Sequence, residues 1–355
     1  MVKSRAALDG LKVCEHGGKL EGDTKDEIID FSGNLNPYGP PDFIADAIRA
    51  ALEEIRLYPD TECSELRAKL AQKLDCKEKE VLVGAGVSEF IPLVALTFVK
   101  KRVLIPRHTY GEYEIAAEMM GAKIERIEMP SLRIKPELIV EEMKTDDLVF
   151  LCNPNNPTGQ YLSKNDIELI LEEADRIDAL VVLDEAYVDF VRNAFPAHDL
   201  PARNMIILRS LTKSFGMPGV RIGYAISSED NIKEMRKIKV PWSVSVFAQK
   251  IGAAVIGVDG DEFLAQTREK IERSKEKIEE AFGIRSDANY YILDVGNAHE
   301  VKRALLKERI MVRDCTSFGL PSHIRFSVRR DAENDLLIHY LMRFFRGCQV
   351  NGCYS

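Results

Sequence analysis

One lysine set among small and hydroxyl residues is the first place where chemistry could occur. The segment Ser210-Leu-Thr212-Lys213-Ser-Phe-Gly-Met-Pro-Gly-Val-Arg221 directly follows an apolar, β-rich run. A lysine attacks a carbonyl only as the neutral amine, so its charge must be disfavoured by exclusion of water or by a nearby cation. Arg221, eight residues on, could be that cation and could also hold a phosphate. Taken alone, the segment is better read as a surface loop. Val181-Val-Leu-Asp184-Glu-Ala-Tyr187 places an acid at the end of an apolar strand, the ligand-facing end of a parallel sheet. Such an acid could keep a ring nitrogen protonated, or it could simply cap a helix. In Asn153-Pro-Asn-Asn156-Pro-Thr-Gly159, Asn156 could donate to a phenolate-like oxygen, or the segment could be a plain Asn-Pro turn. Gly84-Ala-Gly86-Val87-Ser88 leads from a strand into a helix, where backbone N–H groups can meet a phosphate or the chain can merely turn tightly.

The elements around these segments alternate. Short apolar strands are predicted at 81–83, 103–105, 124–127, 148–151, 180–183, 205–208 and 223–226. Amphipathic helices are predicted at 43–55, 64–74, 88–99, 110–120 and 164–176. That pattern means an α/β fold with a mostly parallel sheet covered on both faces. After Asp230 the pattern changes to a long charged helix, 261–282, and a compact α+β unit with strands at 290–293, 310–312 and 324–328. The expected organisation is an irregular arm over residues 1–40, a large domain over 41–245, a smaller α+β domain over 246–346 and a tail over 347–355.

Composition narrows the function. The 355 residues are 45% hydrophobic and 30% charged, which suits a folded enzyme and excludes disorder as the main state. With 49 Lys+Arg against 57 Asp+Glu the net charge is −8, so general nucleic-acid binding is not expected. No apolar run is long enough to span a bilayer, and Met1 to Gly10 lacks the apolar core of a signal peptide. The seven cysteines, an odd number without metal-ligand spacing, suggest free thiols in a reducing cytoplasm and no metal site. Cys348 and Cys353 in the tail read as unpaired thiols.

Together and in this order, the four segments resemble the fold-type I pyridoxal 5'-phosphate (PLP) enzymes of the aspartate aminotransferase superfamily, over nearly the whole chain from His16 to Phe345. The resemblance implies that Lys213 holds the cofactor covalently and that Asp184 pairs with its pyridinium nitrogen. Tyr187 and Asn156 would serve its phenolic oxygen. Ser210, Thr212 and Arg221, with backbone at Gly86, Val87 and Ser88, would bind its phosphate. Tyr110, in Arg-His-Thr-Tyr110-Gly-Glu-Tyr, matches the aromatic residue that stacks on the ring. Tyr58, in Leu-Tyr58-Pro-Asp, matches a tyrosine that reaches the phosphate of a partner subunit, which implies a homodimer with shared sites.

Within the superfamily the chain resembles two groups that both bind phosphorylated amines, threonine-phosphate decarboxylases of cobalamin synthesis and histidinol-phosphate aminotransferases. His16-Gly-Gly, Asp30-Phe-Ser-Gly-Asn34-Leu-Asn-Pro, Pro241-Trp-Ser-Val and Val312-Arg313-Asp-Cys315 preceding His323-Ile-Arg325-Phe look more like the decarboxylase. Lys19 after His-Gly-Gly departs from it, and Tyr110 suits the aminotransferase equally. Arg313 and Arg325 match the pair that grips the substrate phosphate, and His16 and Asn34 would complete that pocket. Arg329 and Arg330 lie nearby, one of them facing the site or both facing solvent. The expected substrate is a phosphorylated amino acid, with decarboxylation preferred and transamination the alternative.

Overall fold

The structure is a computed structural model that describes residues 5–8, 10, 11, 13, 14, 17, 18, 28–201 and 203–350, the last five as backbone only. His16 and Cys353 lie outside the described residues, and the side chain of Cys348 is not described. The arm enters the fold through a short strand, β1 (Ile29–Asp30), and leads to helices α1 (Ile44–Glu54) and α2 (Ser64–Lys73).

A seven-stranded sheet follows. Its strands are β2 (Val81–Gly84), β3 (Arg102–Pro106), β4 (Lys123–Ile127), β5 (Leu148–Cys152), β6 (Leu180–Asp184), β7 (Met205–Ser210) and β8 (Gly223–Ser227). The spatial order is β2-β8-β7-β6-β5-β3-β4, and β8 alone runs antiparallel to its neighbours. Every residue of β2, β3, β5 and β8 is buried, as expected of strands covered by helices on both sides. The connecting helices are α3 (Val87–Phe98), α4 (Glu112–Met119), α5 (Pro136–Glu142), α6 (Lys164–Ile177), α7 (Leu211–Ser214) and α8 (Glu229–Arg236). α6 starts where the pattern predicts because Ser163 and Asp166 form a reciprocal capping box. α5 was not anticipated.

Helix α9 (Val246–Val255) packs against α1 and α2, so the change of packing falls beyond residue 245, the boundary expected from the sequence. The 25-residue helix α10 (Val258–Phe282) then leads to β9 (Tyr290–Asp294), α11 (Ala298–Lys307), β10 (Ile310–Met311), β11 (Arg313–Asp314), β12 (His323–Ser327) and α12 (Asp331–Val350). The single strand expected over 310–312 is in fact two. β10 pairs with β1 in parallel, and β11 pairs with β12 in a second, antiparallel sheet of order β11-β12-β9. Val312, fully buried, is the residue between them. The switch of partner carries Arg313 into register with Arg325 on β12.

Among the described residues no helix is long and apolar enough to cross a membrane.

Candidate active site

The parallel strands end together, and their ends carry the predicted residues. Cys152 of β5 pairs with Asp184 of β6, which in turn pairs with Leu208 of β7. The one-turn helix α7 after β7 then presents Lys213. A cavity of about 350 Å³ opens at this edge, with Lys213, Asp184, Tyr187, Asn156, Tyr110 and Arg325 on its walls. Gly86 is absent from the lining, although its neighbours Val87 and Ser88 are present.

Asp184 is 2% exposed. Its Oδ2 accepts a hydrogen bond from the Tyr113 hydroxyl at 2.6 Å, and its Oδ1 accepts one from the Ala186 N–H at 3.0 Å. Burial pushes the carboxyl up to about 6, against the pull of those two donors and of the Lys213 charge. Tyr113 was not foreseen from the sequence. The available signal was its spacing of three from Tyr110, which at the start of a helix places both rings on one side.

Lys213 lies opposite in character. Burial pushes its amine down to about 8, the cations of Arg221 and Arg325 push the same way, and Asp184 resists. The sequence suggested Arg221 as the depressing charge; here exclusion of water is the larger cause, and Arg325 adds to it. The Lys213 carbonyl accepts from the Asn36 N–H at 3.0 Å, while Asn36 Nδ2 donates to Ser214 O at 2.8 Å and to Thr267 Oγ1 of α10 at 2.9 Å. The backbone on either side of the lysine is therefore tied to the long helix.

The residues expected to hold a phosphate come together from the start of α3, the end of β7, α7 and the turn before β8. Gly86, with φ of +87°, stands at the N-cap of α3, and a Cβ there would lie 2.8 Å from Arg221 Nη2. Only glycine satisfies both the backbone and that close approach. Arg221 Nη2 donates to Ser88 Oγ at 2.6 Å, and Ser210 Oγ lies 2.9 Å from Thr212 Oγ1. The free N–H groups of the first turn of α3 complete an anion site.

On the far wall, Arg325 is 5% exposed. Its Nη1 donates to Asn156 Oδ1, its Nη2 donates to Ser32 O at 2.6 Å, and its Nε is buried without a partner. Arg313, 7% exposed and directly opposite across the β11–β12 pair, donates from Nη2 to Ser317 Oγ at 2.7 Å. Phe318 lies 5.7 Å from the Arg313 guanidinium and 6.0 Å from that of Arg325. The two guanidinium groups thus stand side by side on one face at the cavity wall. Asn34 is buried beside the Tyr187 phenol, and a side-chain hydrogen bond from Asn34 favours the charged form of that phenol. Burial pushes that phenol up to about 12, with Arg325 pulling down.

The remaining expectations divide. Arg329 is bound to Asp30 O and Glu333 and Arg330 reaches Pro37 O, so neither contributes to the cavity. The arm does contribute, through Cys14 and Gly17. Tyr58 is not brought to the site of its own chain: it is 80% exposed and stacks on Trp242 at 4.8 Å. Among the described residues no group of three or more acidic, histidine or cysteine side chains could hold a metal ion.

A hydroxyl- and arginine-lined cradle, a buried acid and a lysine able to lose its proton near neutral pH fit a phosphorylated, protonated heteroaromatic aldehyde. The chain belongs to the class I and II aminotransferase family, whose model matches residues 26–341. Enzymes of this family use PLP, and the donor set described here suits it. The fold is that of aspartate aminotransferase-like fold type I enzymes. A provisionally named threonine-phosphate decarboxylase of Caldanaerobacter subterraneus subsp. tengcongensis is 32% identical over 93% of this chain and 94% of its own. Histidinol-phosphate aminotransferase 2 of Archaeoglobus fulgidus is also 32% identical, over 89% of this chain and 92% of its own. The crystal structure of L-threonine-O-3-phosphate decarboxylase from Porphyromonas gingivalis superposes with a TM-score of 0.80 at 28% identity, covering 89% of this chain and 99% of that one.

Proposed function

We propose that this PLP enzyme is a cytoplasmic lyase that decarboxylates L-threonine O-3-phosphate to (R)-1-aminopropan-2-yl phosphate, the linker unit made in cobalamin biosynthesis. The observation that carries the reading is the buried, cross-strand pair Arg313 and Arg325 at the cavity wall. Guanidinium forks match phosphate oxygens geometrically, and two of them can share one dianion. Likeness to a named threonine-phosphate decarboxylase in both sequence and structure supports it.

PLP, when bound, supplies an electron sink for the charge left at the substrate's α-carbon. The residues provide the rest. Asp184 supplies the anion for the ring nitrogen, Tyr187 and Asn156 supply donors for the phenolic oxygen, and the Gly86–Ser88 turn with Ser210, Thr212 and Arg221 holds the phosphate. Lys213 Nζ, poised near neutral pH, accepts or returns the proton at the α-carbon. Arg313 and Arg325, with His16 and Asn34, would clamp the substrate phosphate and so leave the α-carboxylate without a firm partner. Binding energy gained away from the reacting bond then serves the chemical step.

One observation favours the second reading, a histidinol-phosphate aminotransferase. Arg325 is bonded to Asn156, a predicted cofactor ligand, and an arginine so placed could hold an α-carboxylate in plane and favour cleavage of Cα–H. Incubation with threonine phosphate alone decides between them. Release of CO2 without a keto acid supports the lyase; a strict need for an amino acceptor overturns it.

Arg325→Ala should lower kcat/KM for threonine phosphate about a hundredfold more than for threonine, because it removes a charge-assisted partner from a buried dianion. Steady-state rates on both substrates check this. Equal losses would assign Arg325 to the carboxylate common to both and move the reading to the aminotransferase.

The exposed Tyr58, Leu57, Val240 and Trp242 form an apolar face that suits a two-fold partner, with Tyr58 crossing to the neighbour's cofactor phosphate. Mixing Tyr58→Phe chains with Lys213→Ala chains should recover part of the activity, since mixed dimers hold one site with both defects and one with neither. No recovery despite proven subunit exchange would count against shared sites.

A further inference from the structure

Tyr113 holds a place that the sequence reading left without a role. It sits in the first turn of α4, fully buried, with its ring stacked on Phe150 of β5 at 4.8 Å and 4°, and edge-on to Tyr110 at 5.6 Å and 86°. These contacts leave the ring one position, and in that position the hydroxyl lies 2.6 Å from Asp184 Oδ2. The other carboxylate oxygen is held by the Ala186 N–H, so each oxygen of Asp184 has one donor from the protein and a lone pair to spare.

We infer that Tyr113 is a positioning residue: by donating to Asp184 Oδ2 it fixes the carboxylate that serves the cofactor's ring nitrogen and keeps the shared proton on that nitrogen. The chemistry is a competition between two bases. A carboxylate that already accepts two hydrogen bonds is a weaker base than one that accepts a single bond, so the proton between it and the ring stays with the nitrogen. Without the tyrosine donor, a buried carboxylate takes the proton more readily, and the pair tends towards a neutral acid beside a neutral ring. The same residue also packs on Tyr110, the predicted stacking ring, so one side chain sets both the acid and the aromatic wall of the cofactor site. The other ionisable neighbours of Asp184 are Lys213 on α7, Cys152 on β5, Glu185 and Tyr187 after β6, Tyr110 before α4 and Tyr290 on β9; Tyr113→Phe keeps all of these residues and, besides the bond to Asp184, removes only a hydrogen bond between Tyr113 and the Cys152 thiol. The inference rests on the pairing of Asp184 with the ring nitrogen and holds for either reaction proposed above.

The test is nitrogen NMR of holoenzyme loaded with PLP labelled with ¹⁵N in the ring. Wild type should give a pyridinium-like signal. Tyr113→Phe, which keeps the ring stacking, should bind PLP but move the signal towards the neutral-pyridine position, and kcat should fall about tenfold, as for loss of one hydrogen bond to a charged group. A purely structural tyrosine would lower the melting temperature and leave the nitrogen signal where it was; that result overturns the inference. Asp184→Asn, measured alongside, separates the two levels. If it leaves the signal unmoved, the pairing of Asp184 with the ring fails and the inference falls with it; if it moves the signal while Tyr113→Phe does not, only the role of Tyr113 falls. Should Tyr113→Phe not fold, the wild-type holoenzyme supplies the measurement. A low-field hydroxyl proton assigned to Tyr113 and lost in Asp184→Asn supports the bond, and its absence from wild type overturns it.

Discussion

Lys213→Ala should fold, keep its cavity and lose turnover by at least about 10⁴-fold, the scale set by losing a nucleophile that also moves the proton. Among the described residues that line the cavity, Lys213 is the one lysine. Borohydride treatment followed by mass spectrometry gives the direct reading: wild-type protein should retain reduced cofactor on the chain, and the variant should not. Near-normal multiple turnover by purified Lys213→Ala would sink the assignment. The wild-type apoprotein carries a pH signature of the same group. Its amine, held down to about 8 by burial and by two arginines, is mostly protonated at pH 7 and mostly neutral at pH 9. Stopped-flow uptake of PLP should therefore quicken about tenfold per pH unit below about 8 and level off above it.

Asp184→Asn should still bind PLP through the phosphate cradle but react about 10³-fold more slowly, the magnitude typical of removing one preorganised electrostatic partner. Without a negative charge nearby, the ring nitrogen is not kept protonated and the ring is a weaker sink. The same substitution should stabilise the apoprotein. The folded carboxyl titrates near 6 rather than at 3.8, so its ionised form opposes folding in full above about pH 6 and not at all below about pH 4. Keeping that carboxylate ionised in its buried place costs about 3 kcal/mol at neutral pH. Asparagine removes this cost but gives up about 1 kcal/mol, because its amide cannot accept from both Tyr113 and the Ala186 N–H. A gain of about 2 kcal/mol at pH 7 that falls to nothing near about pH 4.5 and turns into a loss of up to about 1 kcal/mol below it, measured by urea unfolding, is the expected result. Loss of stability together with a near-normal rate would make Asp184 a turn or cap residue.

What could be read in advance follows from where the physics is local. Asp184, Asn156, Lys213 and Gly86 each stand at the end of a short apolar strand, and such strands declare themselves by composition alone. Their convergence also follows, because parallel strands end at one edge. The division of residues 310–314 between two sheets did not, since the partners that pull Met311 and Arg313 apart are Asp30 and Arg325. No window of sequence around Val312 contains either. Arg325 was foreseen as an anion ligand but not as a partner of Asn156 and Ser32, because those contacts span 169 and 293 residues.

The pairing of β1 with β10 has a consequence in time. Ile29 and Asp30 lie beside Ile310 and Met311, about 280 residues further along the chain, and the Phe31 carbonyl accepts from the Ser327 N–H. During synthesis at about 5–20 residues per second, the early strand waits roughly 15–55 s before its partner leaves the ribosome. Through that interval Phe31, which has no exposure in the finished fold, has nowhere of its own to go. The seven-stranded sheet, whose last strand ends at Ser227, is complete long before then. The arm that helps to line the cavity is thus made well before it can be fastened, and the nascent chain carries an unburied aromatic segment until β10 and β12 emerge.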